Sequence, residues 1–250
     1  MRSRQRWPAE LLLVRHAESL GNVARDLAES TSALTIDIAE RDMDVPVSDR
    51  GREQARALGD WLCGLGRDQP TVVLASPYAR AARTAELALE RTGSDVRVVL
   101  DERLREREFG ILDRLTRRGI EERFPEEAEA RGRLGKFYYR PPGGESWCDV
   151  ALRVRSVLDS ITREHEDERV LVVTHEVVIF VFRYVLEQLT EQDLLTIAAE
   201  HVLANASVTR YVKARDRTTG MTLEGYNDIA PLQDTGAPIT AEPDVPIAPR

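Results

Sequence analysis

The chain has 250 residues, with 35 Lys+Arg against 43 Asp+Glu and a formal net charge of −8; 42% of residues are apolar and 31% charged. That is the composition of a folded globular chain, and the length suits one large domain or two small ones of about 100–200 residues. A nucleic-acid binder carries a basic surplus to neutralise phosphates, so the acidic balance argues against such a partner. The two cysteines, Cys63 and Cys148, are isolated, and neither a disulfide framework nor a metal site is implied.

Behind the basic start Met1–Arg6, the apolar run Leu11-Leu12-Leu13-Val14 ends at Arg15. It is too short for a signal-peptide core, which takes about 7–15 apolar residues. The longest apolar stretch, Val170 to Phe182, is broken by Thr174, His175 and Glu176, whereas a membrane helix takes about 20 such residues. The expectation is a cytoplasmic protein with no membrane partner.

Along the chain, short apolar runs alternate with amphipathic ones. Leu11–Val14 reads as a buried strand. Ser48 reads as an N-cap, followed by a helical face of Ala55, Leu58 and Leu62 that stops near Gly64. Val72–Ala75 is a second strand, a helix is predicted from Pro77 to about Glu90, and Gly93 sits where a C-terminal glycine belongs. Val96–Leu100 is a third strand. The densely charged stretch 101–140 predicts a helix over Thr116–Arg131, and Pro141-Pro142-Gly143-Gly144 predicts a loop. Ser146 and Asp149 have capping-box spacing ahead of Val150, Val154, Val157 and Ile161. Val170–Thr174 and Ser207–Val212 read as strands, with a buried helix over Val177–Gln188 between them. From about Ile229 the chain is proline-rich and free of aromatics, which predicts a disordered tail over 229–250.

Strands separated by helices predict an α/β fold, a mostly parallel central sheet with helices on both faces, in a single domain over 1–228. Ligands of such sheets bind outside the carboxyl ends of the strands. Arg15 and His16 immediately follow the first strand, Ser76 to Arg80 follow the second, Glu102, Glu106 and Glu108 follow the third, and His175 follows the fourth. His165 and His201 fall in solvated or helix-end positions. Arginine forks fit phosphate oxygens, a neutral imidazole can attack phosphorus, and a carboxylic acid can protonate a leaving alkoxide. That inventory matches phosphoryl transfer without a metal.

Leu13-Val14-Arg15-His16-Ala17-Glu18-Ser19-Leu20-Gly21-Asn22 resembles the signature of the histidine phosphatase superfamily, the phosphoglycerate-mutase-like proteins. The resemblance continues in order through Ser48–Ala55, Ala75–Ala85, Leu104–Gly110, Pro142–Ser146 and Val172–His175, and covers about residues 10–212. It implies His16 as the nucleophile that becomes phosphohistidine. It implies Arg15, Arg80 and His175 as a phosphate clamp, with Asn22 as a weaker contact, and Glu106 as general acid and base, with Glu108 the other candidate. It also implies no metal or other cofactor and a small phosphorylated substrate. Two residues depart from the pattern: Ala17 and Glu176 stand where the family usually has glycine. Glu176 either points away from the pocket or meets a cationic part of the substrate.

Three activities are compatible with these residues: a phosphomonoesterase, a phosphoglycerate-type mutase, or a non-catalytic phospholigand-binding protein. A mutase needs further cations for a substrate carboxylate, and Arg117-Arg118 are the candidates. The segments between Asn22 and Ser48, with Arg25, Arg41 and Asp42, and 101–140, with Phe137-Tyr138-Tyr139-Arg140, are expected to build a lid. The aromatics there either stack on substrate or belong to the core.

Overall fold

The strand Glu10–Arg15 (β1) is buried along its whole length, and its alternating side chains serve two different cores. Leu11 and Leu13 enter one apolar cluster, while Leu12 and Val14 enter another, as the two-residue period of a strand requires. The computed structural model describes residues 6–214 and 220–241. In chain order β1 is followed by α1 (Leu20–Ser30), α2 (Asp49–Gly64), β2 (Val72–Ala75), α3 (Ala79–Thr92) and β3 (Val98–Leu100). Then come α4 (Arg117–Arg123), α5 (Pro125–Leu134), α6 (Trp147–Glu164), β4 (Arg169–Thr174), α7 (Glu176–Leu186) and α8 (Glu191–Glu200). The last described elements are β5 (Val208–Lys213), β6 (Met221–Asp228) and α9 (Ala230–Gln233).

The six strands form one sheet in the order β3-β2-β4-β1-β5-β6. Its β3–β2, β2–β4 and β4–β1 pairs are parallel, and β5 and β6 add an antiparallel edge. Helices α6 and α7 cover the face of Leu11 and Leu13, and α2 and α3 cover the face of Leu12 and Val14. The α/β fold with helices on both faces is therefore the one predicted. Among the described residues no helix is long and apolar enough to cross a membrane.

Local signals explain most boundaries. Ser48 accepts from the Gly51 amide at the start of α2, and Ser146 and Asp149 bond reciprocally at the start of α6. Gly93 closes α3 at φ 66°, a left-handed position that glycine takes without strain. Gly51 is needed for a different reason, since a Cβ there would collide with the backbone carbonyl of Glu18. That close approach seats α2 against the turn that follows His16.

Two expectations are corrected. The helix predicted over Thr116–Arg131 is two helices, because Pro125 cannot donate an amide and Phe124 leaves helical geometry at φ −136°, ψ 58°. Residues 229–241 are not a disordered tail. Leu232 is fully buried, and Gln54 Nε2 donates to the Pro238 carbonyl at 2.9 Å and to Thr240 Oγ1 at 2.8 Å. Residues 242–250, the rest of that expectation, and the basic start up to Gln5 lie outside the described residues.

Candidate active site

The parallel strands end in step. Arg15 is paired with Thr174 and Ala75 with Val173, so the residues that leave β1, β2 and β4 emerge side by side. His16 and His175 consequently meet edge to face, ring centroids 5.1 Å apart. Both are buried. The His16 amide donates to the Thr174 carbonyl at 2.8 Å, which fixes the backbone under the ring.

His16 Nδ1 lies 2.8 Å from the Ala17 carbonyl oxygen. A carbonyl only accepts, so Nδ1 carries a proton, and in the neutral ring the lone pair is on Nε2. Ala17 itself is held by Thr84, whose hydroxyl accepts from the Ala17 amide at 3.0 Å and donates to the Arg80 carbonyl at 2.7 Å. The segment carrying His16 is thus tied to the first turns of α3. Ala17 is not among the positive-φ residues, so nothing in its backbone calls for the glycine usual there.

His175 Nε2 is 2.8 Å from Ser76 Oγ, and its Nδ1 is 3.7 Å from Glu106 Oε2. Burial pushes its pKa well below 6.5, and the charges of Arg80, His16, Arg153 and Arg15 push the same way. The ring is neutral at pH 7. Glu106 is buried, with Oε1 accepting the Arg107 amide at 2.7 Å. The loop that carries it is pinned by Glu145, which accepts from Arg105 Nη2 at 2.6 Å, Arg153 Nε at 3.1 Å and the Glu108 amide at 3.2 Å. Glu108 points elsewhere: it takes the Tyr78 hydroxyl at 2.6 Å and does not line the cleft.

Arg80 is nearly buried and meets a carboxylate from the segment between α1 and α2. Its Nη1 is 3.0 Å from Asp42 Oδ1 and 2.6 Å from the Asp42 carbonyl, and its Nη2 is 3.3 Å from Oδ2. Sequence reasoning named Asp42 as a lid residue but not as this partner; only the fold joins positions 38 apart. Arg15 is fully buried on the α7 side of the sheet, as Leu11 and Leu13 are. Its Nη1 donates to the Leu203 carbonyl and lies 3.9 Å from Glu176 Oε1.

Glu176 points away from the cleft. It accepts the Leu203 amide at 2.9 Å beside Arg15, which answers the alternative left open by its departure from glycine. The cleft is lined by His16, Asn22, Arg80 and Glu106, with Ile36, Ile38, Val45 and Phe109 as apolar wall. Arg25 and Arg114 are its further cations; Glu40, Asp42 and Asp113 are its acids. The segment after α1 therefore lines the cleft. Of the 101–140 stretch only the part up to Arg114 reaches the cleft. Phe137 and Tyr139 are core residues, and Arg117 and Arg118 are tied to Glu121 and Glu122 at 2.9 and 2.8 Å, outside the cleft. His165 and His201 cap the ends of α6 and α8, away from the site.

A sequence profile of the histidine phosphatase superfamily (branch 1) matches residues 11–228. The chain belongs to this superfamily. A probable phosphoglycerate mutase GpmB from Erwinia tasmaniensis is 32% identical over 231 residues, 90% of this chain and 96% of that protein. The structure of mycobacterial glucosyl-3-phosphoglycerate phosphatase with VO3 matches with a TM-score of 0.68 at 27% identity, covering 88% of this chain and 99% of that one. Bacillus stearothermophilus YhfR matches with a TM-score of 0.71 at 27% identity, over 89% of this chain and 98% of its own. Relatives named as mutases and as phosphatases thus share this superfamily fold.

Proposed function

We propose that the chain is a metal-independent phosphomonoesterase working through a phosphohistidine on His16. The observation that carries this reading is the Nδ1–H donated to the Ala17 carbonyl, which in the neutral ring puts the nucleophilic lone pair on Nε2, in a cleft shared with Arg80 and Glu106. Nε2 attacks phosphorus, the phosphorus–oxygen ester bond breaks, and Glu106 gives its proton to the departing alkoxide. Water then attacks the phosphohistidine and loses a proton to Glu106, the phosphorus–nitrogen bond breaks, and inorganic phosphate leaves. Arg80 and His175, with Arg15 behind them and Asn22 at the rim, supply the field that holds the equatorial oxygens. The neutral state of His175 suits a donor that gains positive character only when a phosphate dianion arrives.

The mutase reading is favoured by the names of relatives such as the Erwinia protein. The cleft speaks against it. The paired arginines that would hold a substrate carboxylate, Arg117 and Arg118, are engaged elsewhere, and the cleft carries the acids Glu40, Asp42 and Asp113 beside its further cations Arg25 and Arg114. The test is hydrolysis of an aryl phosphate in excess chelator by wild type and His16→Ala. Activity that survives chelator and vanishes in the variant is the expected result. Isomerisation of 3-phosphoglycerate faster than its hydrolysis would replace this reading with the mutase one.

A further inference from the structure

Two fully buried side-chain amides bond to the turn that carries His16: Gln54 from α2, and Asn205 from the loop before β5. Gln54 Oε1 accepts the Glu18 amide at 2.8 Å, and Asn205 Nδ2 donates to the His16 carbonyl at 3.1 Å. These contacts fix which way each amide group faces. A backbone N–H donates, so it meets the oxygen of Gln54; a carbonyl accepts, so it meets the nitrogen of Asn205. The far ends are then a donor, Gln54 Nε2, and an acceptor, Asn205 Oδ1. Thr240 stands between them.

Its Oγ1 accepts from Gln54 Nε2 at 2.8 Å and donates to Asn205 Oδ1 at 3.1 Å, while the Asn205 backbone amide donates to the Thr240 carbonyl at 2.9 Å. The bonds run head to tail, from the Glu18 amide through Gln54, Thr240 and Asn205 to the His16 carbonyl. A hydroxyl suits the middle place because it accepts on one side and donates on the other, and bonds in such a series polarise one another. The chain bears directly on the His16 ring. The Glu18 N–H and the Ala17 carbonyl belong to one planar peptide unit, so holding the N–H sets the direction of the carbonyl. That carbonyl is the one that receives His16 Nδ1–H. At the other end, the His16 carbonyl shares its peptide unit with the Ala17 amide, which Thr84 holds. Both peptide units around Ala17 are therefore clamped.

We propose that Thr240 is a positioning residue for His16: through Gln54 and Asn205, its hydroxyl fixes the peptide units that set the tautomer of the ring and the direction of Nε2. The segment after α9 is then part of the apparatus that orients the nucleophile, acting through the backbone and not on the substrate. This inference rests on the reading of His16 as the nucleophile.

The test compares the full chain with Thr240→Val, which keeps the branched shape but has no hydroxyl, and with Thr240→Ser, which keeps the hydroxyl. With an aryl phosphate, Thr240→Val is expected to lose about 10-fold in kcat, short of the roughly 10²-fold that a misplacement of about 1 Å costs. KM and the Ki of inorganic phosphate are expected to stay as in wild type, because the Arg80 fork is untouched. Thr240→Ser is expected to restore kcat. Two-bond 1H–15N correlation spectra at alkaline pH read the neutral His16 ring without turnover. The Nδ1–H form should dominate in wild type and Thr240→Ser, and the Nε2–H form should rise in Thr240→Val. Unchanged kcat in Thr240→Val, a Thr240→Ser variant equally slow, or a loss confined to KM overturns the proposal. So does the same tautomer in all three proteins, and a wild-type ring in the Nε2–H form overturns it without any variant. Activity retained by His16→Ala overturns the catalytic reading alone; the tautomer spectra then still support or overturn the positioning of the ring.

Discussion

Asp42 forks onto Arg80 with both carboxylate oxygens, at 3.0 and 3.3 Å, in the cleft that His16 lines. A planar guanidinium receives a carboxylate and a phosphate in much the same way. On the proposed reading, the substrate phosphate competes with Asp42 for the Arg80 fork.

Asp42→Asn should lower KM for an aryl phosphate by roughly 3- to 10-fold, the range of a partly exposed ion pair plus the removed repulsion of a dianion. The Ki of inorganic phosphate should fall in parallel, and it reports the subsite without involving turnover. Unchanged Ki would mean that Asp42 does not occupy the phosphate position.

Glu106 and Glu108 are two residues apart but differ in what they face. Glu106→Gln should slow alkyl phosphates, which need a protonated leaving group, by about 10²–10⁴ while slowing aryl phosphates far less. Glu108→Gln should leave that ratio unchanged, because Glu108 serves Tyr78. A loss shared equally by both substrate types in Glu106→Gln would remove it from the acid role.

Glu176 Oε1 lies 3.9 Å from Nη1 of buried Arg15 on the α7 side. Glu176→Gln keeps an acceptor for the Leu203 amide but deletes this negative charge, and breaking a buried pair on one side costs about 3–5 kcal/mol. Urea unfolding should show a loss of that order, less whatever the Leu203 carbonyl returns. kcat should move little, since the side chain faces away from the cleft. A stability loss below about 0.5 kcal/mol, the size of an ordinary surface change, would show that Arg15 does not rely on it.

The parts of this fold that were legible in the sequence are those in which local chemistry and tertiary environment agree. The unbroken apolar runs Leu11–Val14 and Val170–Val173 belong to central parallel strands buried on both faces, and Ser48 and Ser146 cap the helices they precede. Helix α1 was hidden because its apolar residues are misplaced: Leu20, Val23 and Leu27 are exposed, while Asn22 and Ala28 are buried. Residues 229–241 were misread because buried Pro231 and Leu232 and hydrogen bonds with Gln54 and Asn205 hold them, partners distant in the sequence. Within the site, His16, His175 and Glu106 were readable as strand-end residues. The Asp42–Arg80 pair was not, since no short-range rule connects a loop acid to a helix arginine.

His175 makes the stability of the fold pH-dependent. Burial and four neighbouring cationic or titratable groups lower its folded pKa well below 6.5, whereas in the unfolded chain it titrates near its ordinary value. Between those two values the unfolded state binds the extra proton, so stability is complete above about pH 6.5 and declines as the pH falls. The slope from this one group approaches about 1.4 kcal/mol per pH unit. Glu106, 3.7 Å away, is the carboxylate that faces it, and His16, Arg80, Arg15 and Arg153 supply the repulsion. Unfolding by urea at pH 7.5 and 5.5 should give wild type about 1 kcal/mol more acid sensitivity than His175→Gln, which has no imidazole to titrate. Phosphate should reduce the difference, because a bound dianion favours the protonated ring and raises the folded pKa. Equal slopes for the two proteins without phosphate would show that His175 is already charged when folded.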